Sequence, residues 1–152
     1  KAKAAKTGAA APGGVNNAEV YRALLGRLLA GEQAAGKTIA VADFSYVDGR
    51  ASIDGEVVAV RVATELIRMK DMRVVERKQL QKILAELNLQ NTGVVDQASA
   101  KKLGRVLGAD LLVVGSLDEL PGKLLEVNLR LASVESGQAV SAASGQVQKD
   151  WL

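Results

Sequence analysis

The sequence has no histidine and no cysteine among its 152 residues. Without histidine the usual general base near neutral pH is missing, and without cysteine there is neither a thiol nucleophile nor a disulfide. Together the two absences remove nearly every ligand set for zinc, copper or iron. They do not decide the compartment, because cytosolic and periplasmic proteins alike do without cysteine. Aromatic residues make up 3% of the chain, and Tyr21, Phe44, Tyr46 and Trp151 are too few for a base-stacking platform. No apolar run approaches the roughly 20 residues of a membrane-spanning helix. A body-wide excess of one charge is also lacking. The formal net charge of +3 comes entirely from Lys1, Lys3 and Lys6: without them 17 basic residues face 17 acidic ones. Counterion release therefore offers no drive toward nucleic acid, and the lysines at 78, 82, 101 and 102 read as solvated helix faces.

What is present is 48% hydrophobic residues, enough for one compact domain with a real core. Residues 1–14, KAKAAKTGAAAPGG, hold no large apolar side chain and read as a flexible linker ahead of a single domain over 15–152. A chain that opens on Lys rather than Met reads as a piece of a longer precursor.

Within the domain the apolar spacing alternates between two periods. After the Asn16-Asn17 cap, Val20, Leu24 and Leu28, with Leu25 and Leu29 beside them, predict a helix to Gly31 or Gly36. Thr38 to Phe44 reads as a buried strand. Asp54 caps a helix to Lys70, with Val58, Val62, Leu66 and Met69 inward and Arg61, Thr64, Glu65 and Arg68 in solvent. Met72 to Glu76 is the next strand, giving a parallel crossover. Helices follow over 77–87 and 96–107, the second stopped by Gly108. Asp110 to Leu120 reads as a central strand, turned at Pro121-Gly122 into a half-exposed antiparallel strand over 124–134. Ser136-Gly137 turns the chain again into a last strand over 139–148. The expected fold is α/β, a mixed sheet of about five strands with helices packed on it as a layered sandwich.

Gly31 to Thr38, GEQAAGKT, matches the phosphate-binding loop pattern G-x-x-x-x-G-K-[ST] letter for letter. That loop works by leaving a strand and opening a helix, so that backbone amides and the helix N-terminus converge on phosphate. Here a helix precedes and a strand follows, so the match reads as accidental. Nucleotide binding through Lys37 and Thr38 stays as the least favoured alternative. Asp43, Asp48 and Asp54 are weighed as a hard-cation site, but a turn at Asp48-Gly49 and a helix cap at Asp54 explain two of them more simply. The Glu76-Arg77 pair reads as a surface ion pair or as charge at a helix start. No catalytic residue, cofactor site or metal site is assigned.

Four segments taken together are more specific. Ile39 to Phe44 (IAVADF), Val74 to Leu84 (VVERKQLQKIL) with Glu86, Ala100 to Ser116 (AKKLGRVLGADLLVVGS) and Leu129 to Val140 (LRLASVESGQAV) resemble the curli assembly/transport family. That grouping includes flagellar outer-membrane lipoproteins and activators of penicillin-binding proteins. The resemblance implies a non-catalytic envelope protein that faces the periplasm from the outer membrane and works by assembly or partner binding. It also implies that the N-terminal tail is the spacer after a lipidated cysteine outside this sequence. The partners so implied are envelope proteins and the chain itself, with membrane attachment only through that lipid and with no nucleic acid. A secretion-pore subunit is the main alternative. A spanning hairpin needs roughly 20 residues, however, and neither the loop from Ser45 to Asp54 nor the tight turn at Pro121-Gly122 has that room. For partner contact the expected residues are Tyr46, Val47 and Arg50, a polar loop with a large aromatic. Val57 with Val60 form a second candidate, a self-association seam on the flank of their helix.

Overall fold

The computed structural model describes residues 17–50, 52–88 and 97–151. The expected linker over 1–14, the cap at Asn16 and the helix start at Asp96 lie outside the described residues. The elements are α1 (Asn17–Leu29), β1 (Thr38–Val41), β2 (Ser45–Tyr46), α2 (Ile53–Met69), β3 (Arg73–Val74), α3 (Arg77–Glu86), α4 (Gln97–Leu107), β4 (Leu111–Leu120), β5 (Leu124–Ser133) and β6 (Ala139–Gln148).

One mixed sheet of six strands runs in the order β3-β1-β4-β5-β6, with β2 also paired to β4. β1 lies parallel to both β3 and β4, and the hairpins β4-β5 and β5-β6 are antiparallel. Alternation along the central strands sends side chains to two cores. On one face Ile39, Val41, Val113, Leu117, Val127, Leu129 and Leu131 meet Leu24, Leu25 and Leu28 of α1 and Val58, Val62 and Leu66 of α2. On the other, Ala40, Ala42, Leu112, Val114 and Ala132 meet Leu80 and Leu84 of α3 and Leu103 and Leu107 of α4. The α/β layering is the one expected. The far half of β5 carries Glu126, Asn128 and Arg130 on the face opposite its buried residues, which gives that strand its half-exposed pattern.

The expected strand over 38–44 is two strands. Ile39 pairs with Leu111 and Val41 with Val113, but Ser45 pairs with Ser116, so one more residue separates the pairs on this side than on β4. The surplus is a bulge. Within it Phe44 turns its N–H to Gly55 O of α2 at 3.3 Å instead of to β4. Two glycines make room: a Cβ on Gly55 would run into the Phe44 carbonyl, and one on Gly115 would strike the Phe44 ring and Asn128 O.

Ser52, not Asp54, caps α2. Its extended backbone lets Oγ accept from Asp54 N at 3.1 Å. The helix closes at Lys70 in left-handed conformation, φ 62°. β3 keeps only two residues of the expected Met72–Glu76 strand. α1 stops at Leu29, short of Gly31, and buries Tyr21 rather than Val20. Glu65 is buried as well, contrary to its expected place in solvent. It lies toward α1, where Oε1 meets Arg22 Nε at 3.2 Å and Oε2 meets Arg68 Nη1 at 3.2 Å. Of the two readings of Glu76-Arg77, the helix start is the one found: Glu76 stands at the cap and Arg77 opens α3, while Arg77 pairs with Asp43 at 2.5 Å.

Candidate functional site

At the carboxyl end of β2, the loop 47–52, the first turn of α2 and residues 149–151 meet around one carboxylate. Asp54 is 4% exposed and accepts three hydrogen bonds: from Tyr46 Oη at 2.5 Å and Lys149 Nζ at 3.2 Å on Oδ2, and from Trp151 Nε1 at 2.7 Å on Oδ1. Burial pushes the Asp54 carboxyl up, but these donors outweigh it and hold the group below its ordinary value. Burial, and then the bond to Asp54, push the Tyr46 hydroxyl well above its ordinary value. Three donors of the fold thus converge on Asp54, which makes it a structural acceptor at this junction.

Arg50 forms the outer wall. Its guanidinium lies 4.1 Å from the centroid of the Tyr46 ring and reaches Asp48 at 3.2 Å and Glu119 at 3.2 Å. Cation–π stacking and two ion pairs hold an otherwise flexible side chain in place. Three positions to either side of it along the chain are two apolar residues that the fold leaves in solvent, Val47 at 60% and Ile53 at 57% exposure.

Of the residues expected for partner contact, Tyr46 is buried and acts as the floor of this surface, whereas Val47 and Arg50 present themselves to solvent. Val57 and Val60 sit elsewhere, along the outer side of α2; Val57 is half-buried and Val60 exposed. Sequence reasoning missed Ile53, Lys149 and Trp151. The signal for Trp151 was available: a lone tryptophan in a polar tail must cover its ring and satisfy its N–H, and it does both, with Arg61 5.0 Å from its ring centroid.

The three aspartates weighed as a cation site are each held by cationic side chains: Asp43 by Arg77, Asp48 by Arg50 and Asp54 by Lys149. Among the described residues no cluster of three or more Asp or Glu is placed to hold a metal ion. In the GEQAAGKT segment, Gly36 N donates to Asp71 O, Lys37 N to Ala34 O and Thr38 N to Asp110 Oδ2. These amides are spent on the protein itself, and β1, not a helix, follows them. Residues 121–123 alone connect β4 to β5, and residues 47–52 alone connect β2 to α2. No helix among the described residues is long and apolar enough to cross a membrane.

A concavity of about 450 Å³ lies between α1 and α2 and is lined by Tyr21, Arg61, Thr64, Glu65 and Arg68 among others. Its acids are paired with arginines, and the Tyr21 hydroxyl is buried with no partner among the described residues.

The domain is a three-layer α/β sandwich, with helices on both faces of its mixed sheet and an arginine braced by ion pairs at one end of it. The chain is a member of the family described as curli production assembly/transport component CsgG, whose model matches residues 29–120, more than half of its length. No curated protein sequence matches it. In solved structures the fold recurs in the LpoB C-terminal domain from Escherichia coli, with TM-score 0.70 and 15% identity over 88% of this chain and 99% of that one. It recurs in the solution structure of E. coli LpoB, with TM-score 0.71 and 16% identity over 84% of this chain and 65% of that one. Lipoprotein GNA1162 from Neisseria meningitidis is similar at TM-score 0.54 and 14% identity, over 74% of this chain and 80% of that one. The family and these neighbours fit a non-catalytic module of the cell envelope.

Proposed function

We propose that the chain is a protein-binding module at the periplasmic face of the bacterial outer membrane, and that it docks an envelope protein through the sheet end formed by Val47, Arg50 and Ile53. The observation that carries this reading is the braced patch itself. Two aliphatic side chains more than half exposed flank an arginine that is fixed by a buried tyrosine and two carboxylates. Interface hot spots are enriched in arginine, and an arginine already held in place loses little entropy on binding. Membership of the CsgG family supports the envelope setting, and the likeness to lipoproteins supports attachment through a lipid N-terminal to the domain.

The test is a photo-crosslinking residue placed at Val47 in the living bacterium, with Val106 of α4, 49% exposed, as a control at another exposed valine. A discrete adduct with another envelope protein is expected at Val47 and not at Val106, and Arg50→Glu should reduce it at least tenfold. Identical products at both positions would refute the patch. Recovery of the protein in the cytosolic fraction would refute the location.

A further inference from the structure

The outer crest of α2 carries side chains unlike those of an ordinary surface helix. Its inner side is set by Val58, Val62 and Leu66, which are fully buried. At about 100° per residue, the positions facing directly away from that core are 53, 57, 60, 64 and 67. They hold Ile53, Val57, Val60, Thr64 and Ile67, and every one is β-branched. Val60 is 44% exposed and Ile67 59%, Thr64 is exposed, and Val57 is half-buried. The Thr64 hydroxyl is satisfied within the helix by Val60 O at 2.8 Å. β-Branched residues lower helix propensity, and exposed they bring no packing in return. Their spacing of four, three, four and three residues is that of a heptad seam, the pattern by which one helix receives another.

We propose that this crest is a self-association surface on which a second copy of the chain lays its own α2, antiparallel to the first. The charges beside the seam select that orientation. On one flank are Glu56, Ala63 and Lys70; on the other are Arg61 and Arg68, already paired with Asp150 and Glu65 within the chain. Glu56 and Lys70 are exposed and enter no ion pair among the described residues. With Ala63 on a two-fold axis, antiparallel helices set Glu56 against Lys70 of the second copy twice. The same register stacks Val57 on Ile67 and Val60 on Thr64, each layer occurring twice. A parallel pair would instead offer Glu56 an arginine that is already engaged and would leave Lys70 alone. It would also place β-branched residues at both seam positions, which two-stranded parallel coils disfavour. The small side chain of Ala63 lets the helices approach closely, and the contact is isologous, so it closes at a dimer. Four layers form a short seam, so association is weak and concentration-dependent, while the rim charges fix register more than affinity.

This surface shares Ile53 with the Val47 and Arg50 end, but its test alters none of those three residues and is independent of that reading. The chain has no cysteine, so Ala63→Cys introduces a single thiol. With a short bifunctional maleimide, covalent dimer should form at least tenfold faster than for Val106→Cys, with the difference shrinking on dilution. Adding Val60→Glu should abolish the excess. Glu56→Lys should reduce it severalfold, and Glu56→Lys with Lys70→Glu should restore it, since the swapped charges meet again only in the antiparallel register. Equal rates for Ala63→Cys and Val106→Cys overturn the proposal, as does crosslinking that survives Val60→Glu. A doubly swapped variant no better than Glu56→Lys overturns the register. Circular dichroism of each variant confirms that the fold is unchanged.

Discussion

The Tyr46 hydroxyl donates to Asp54 Oδ2 at 2.5 Å and so ties the end of β2 to the first turn of α2. Neither residue is accessible, and together they hold the floor beneath Arg50. The pair does for the sheet end what a hydrophobic contact does elsewhere, with a direction that apolar packing lacks.

Removing the charge at this centre should be costly. Asp54→Asn leaves Lys149 without its counter-charge and replaces one acceptor oxygen with a donor amide facing other donors. A loss of roughly 2–4 kcal/mol is expected in urea denaturation. Tyr46→Phe should cost about 1–2 kcal/mol. The double variant should lose less than the sum, because the two groups share one bond. Additive losses would show that the bond contributes nothing.

Both tyrosines of the chain should make it fragile in alkali. The hydroxyls of Tyr21 and Tyr46 are raised above the ordinary 10.0, in both cases first by burial. A raised value means that the folded state holds the proton more tightly. The associated stability is complete below pH 10.0 and falls as pH rises beyond it toward the folded values. Asp54 acts in the opposite range: its lowered value contributes stability above its ordinary 3.8, lost as pH falls through the folded value. Absorbance of phenolate should therefore appear together with unfolding, not before it. Tyr21→Phe should remove part of the alkaline loss and stabilise the protein at pH 7 by about 1 kcal/mol, because its hydroxyl is buried without a partner among the described residues.

Gly55→Ala tests the bulge between β1 and β2. The added methyl has only the Phe44 carbonyl to meet, and backbone cannot swing aside as a flexible side chain can. A loss of about 3 kcal/mol or more is expected, seen as a lowered midpoint in thermal unfolding or as failure to accumulate soluble protein. Gly26→Ala on α1, where nothing stands near the new atom, should be neutral or slightly stabilising.

Long, strongly periodic elements were legible in the sequence. The residues of α2, α3, β4, β5 and β6 fall within a residue or two of the expected spans, because repeated apolar spacing marks the first four and the turns at Pro121-Gly122 and Ser136-Gly137 delimit the strands. Short elements were not. Ser45-Tyr46 becomes a strand only because β4 continues beside it, a long-range pairing that no local pattern announces. Asp54 beside Ser52 offered two plausible caps, and nothing local reveals that the aspartate is claimed by Trp151, 97 positions away. Glu65 looked solvated because its neighbours on the helix are; the arginine of α1 that pairs with it is decided by how two helices cross. The loop at Tyr46 drew attention through its aromatic ring, yet burial turns that ring into support and leaves Val47 and Arg50 at the surface.

Asn17, the first described residue, clasps Gln148 near the other limit of the domain, its Nδ2 donating to Gln148 O at 2.7 Å and its Oδ1 accepting from Gln148 N at 3.0 Å. The domain is therefore topologically almost a ring. Joining residue 151 to residue 17 through a few glycines, and reopening the backbone at Pro121-Gly122, should yield a circular permutant with the same sheet order.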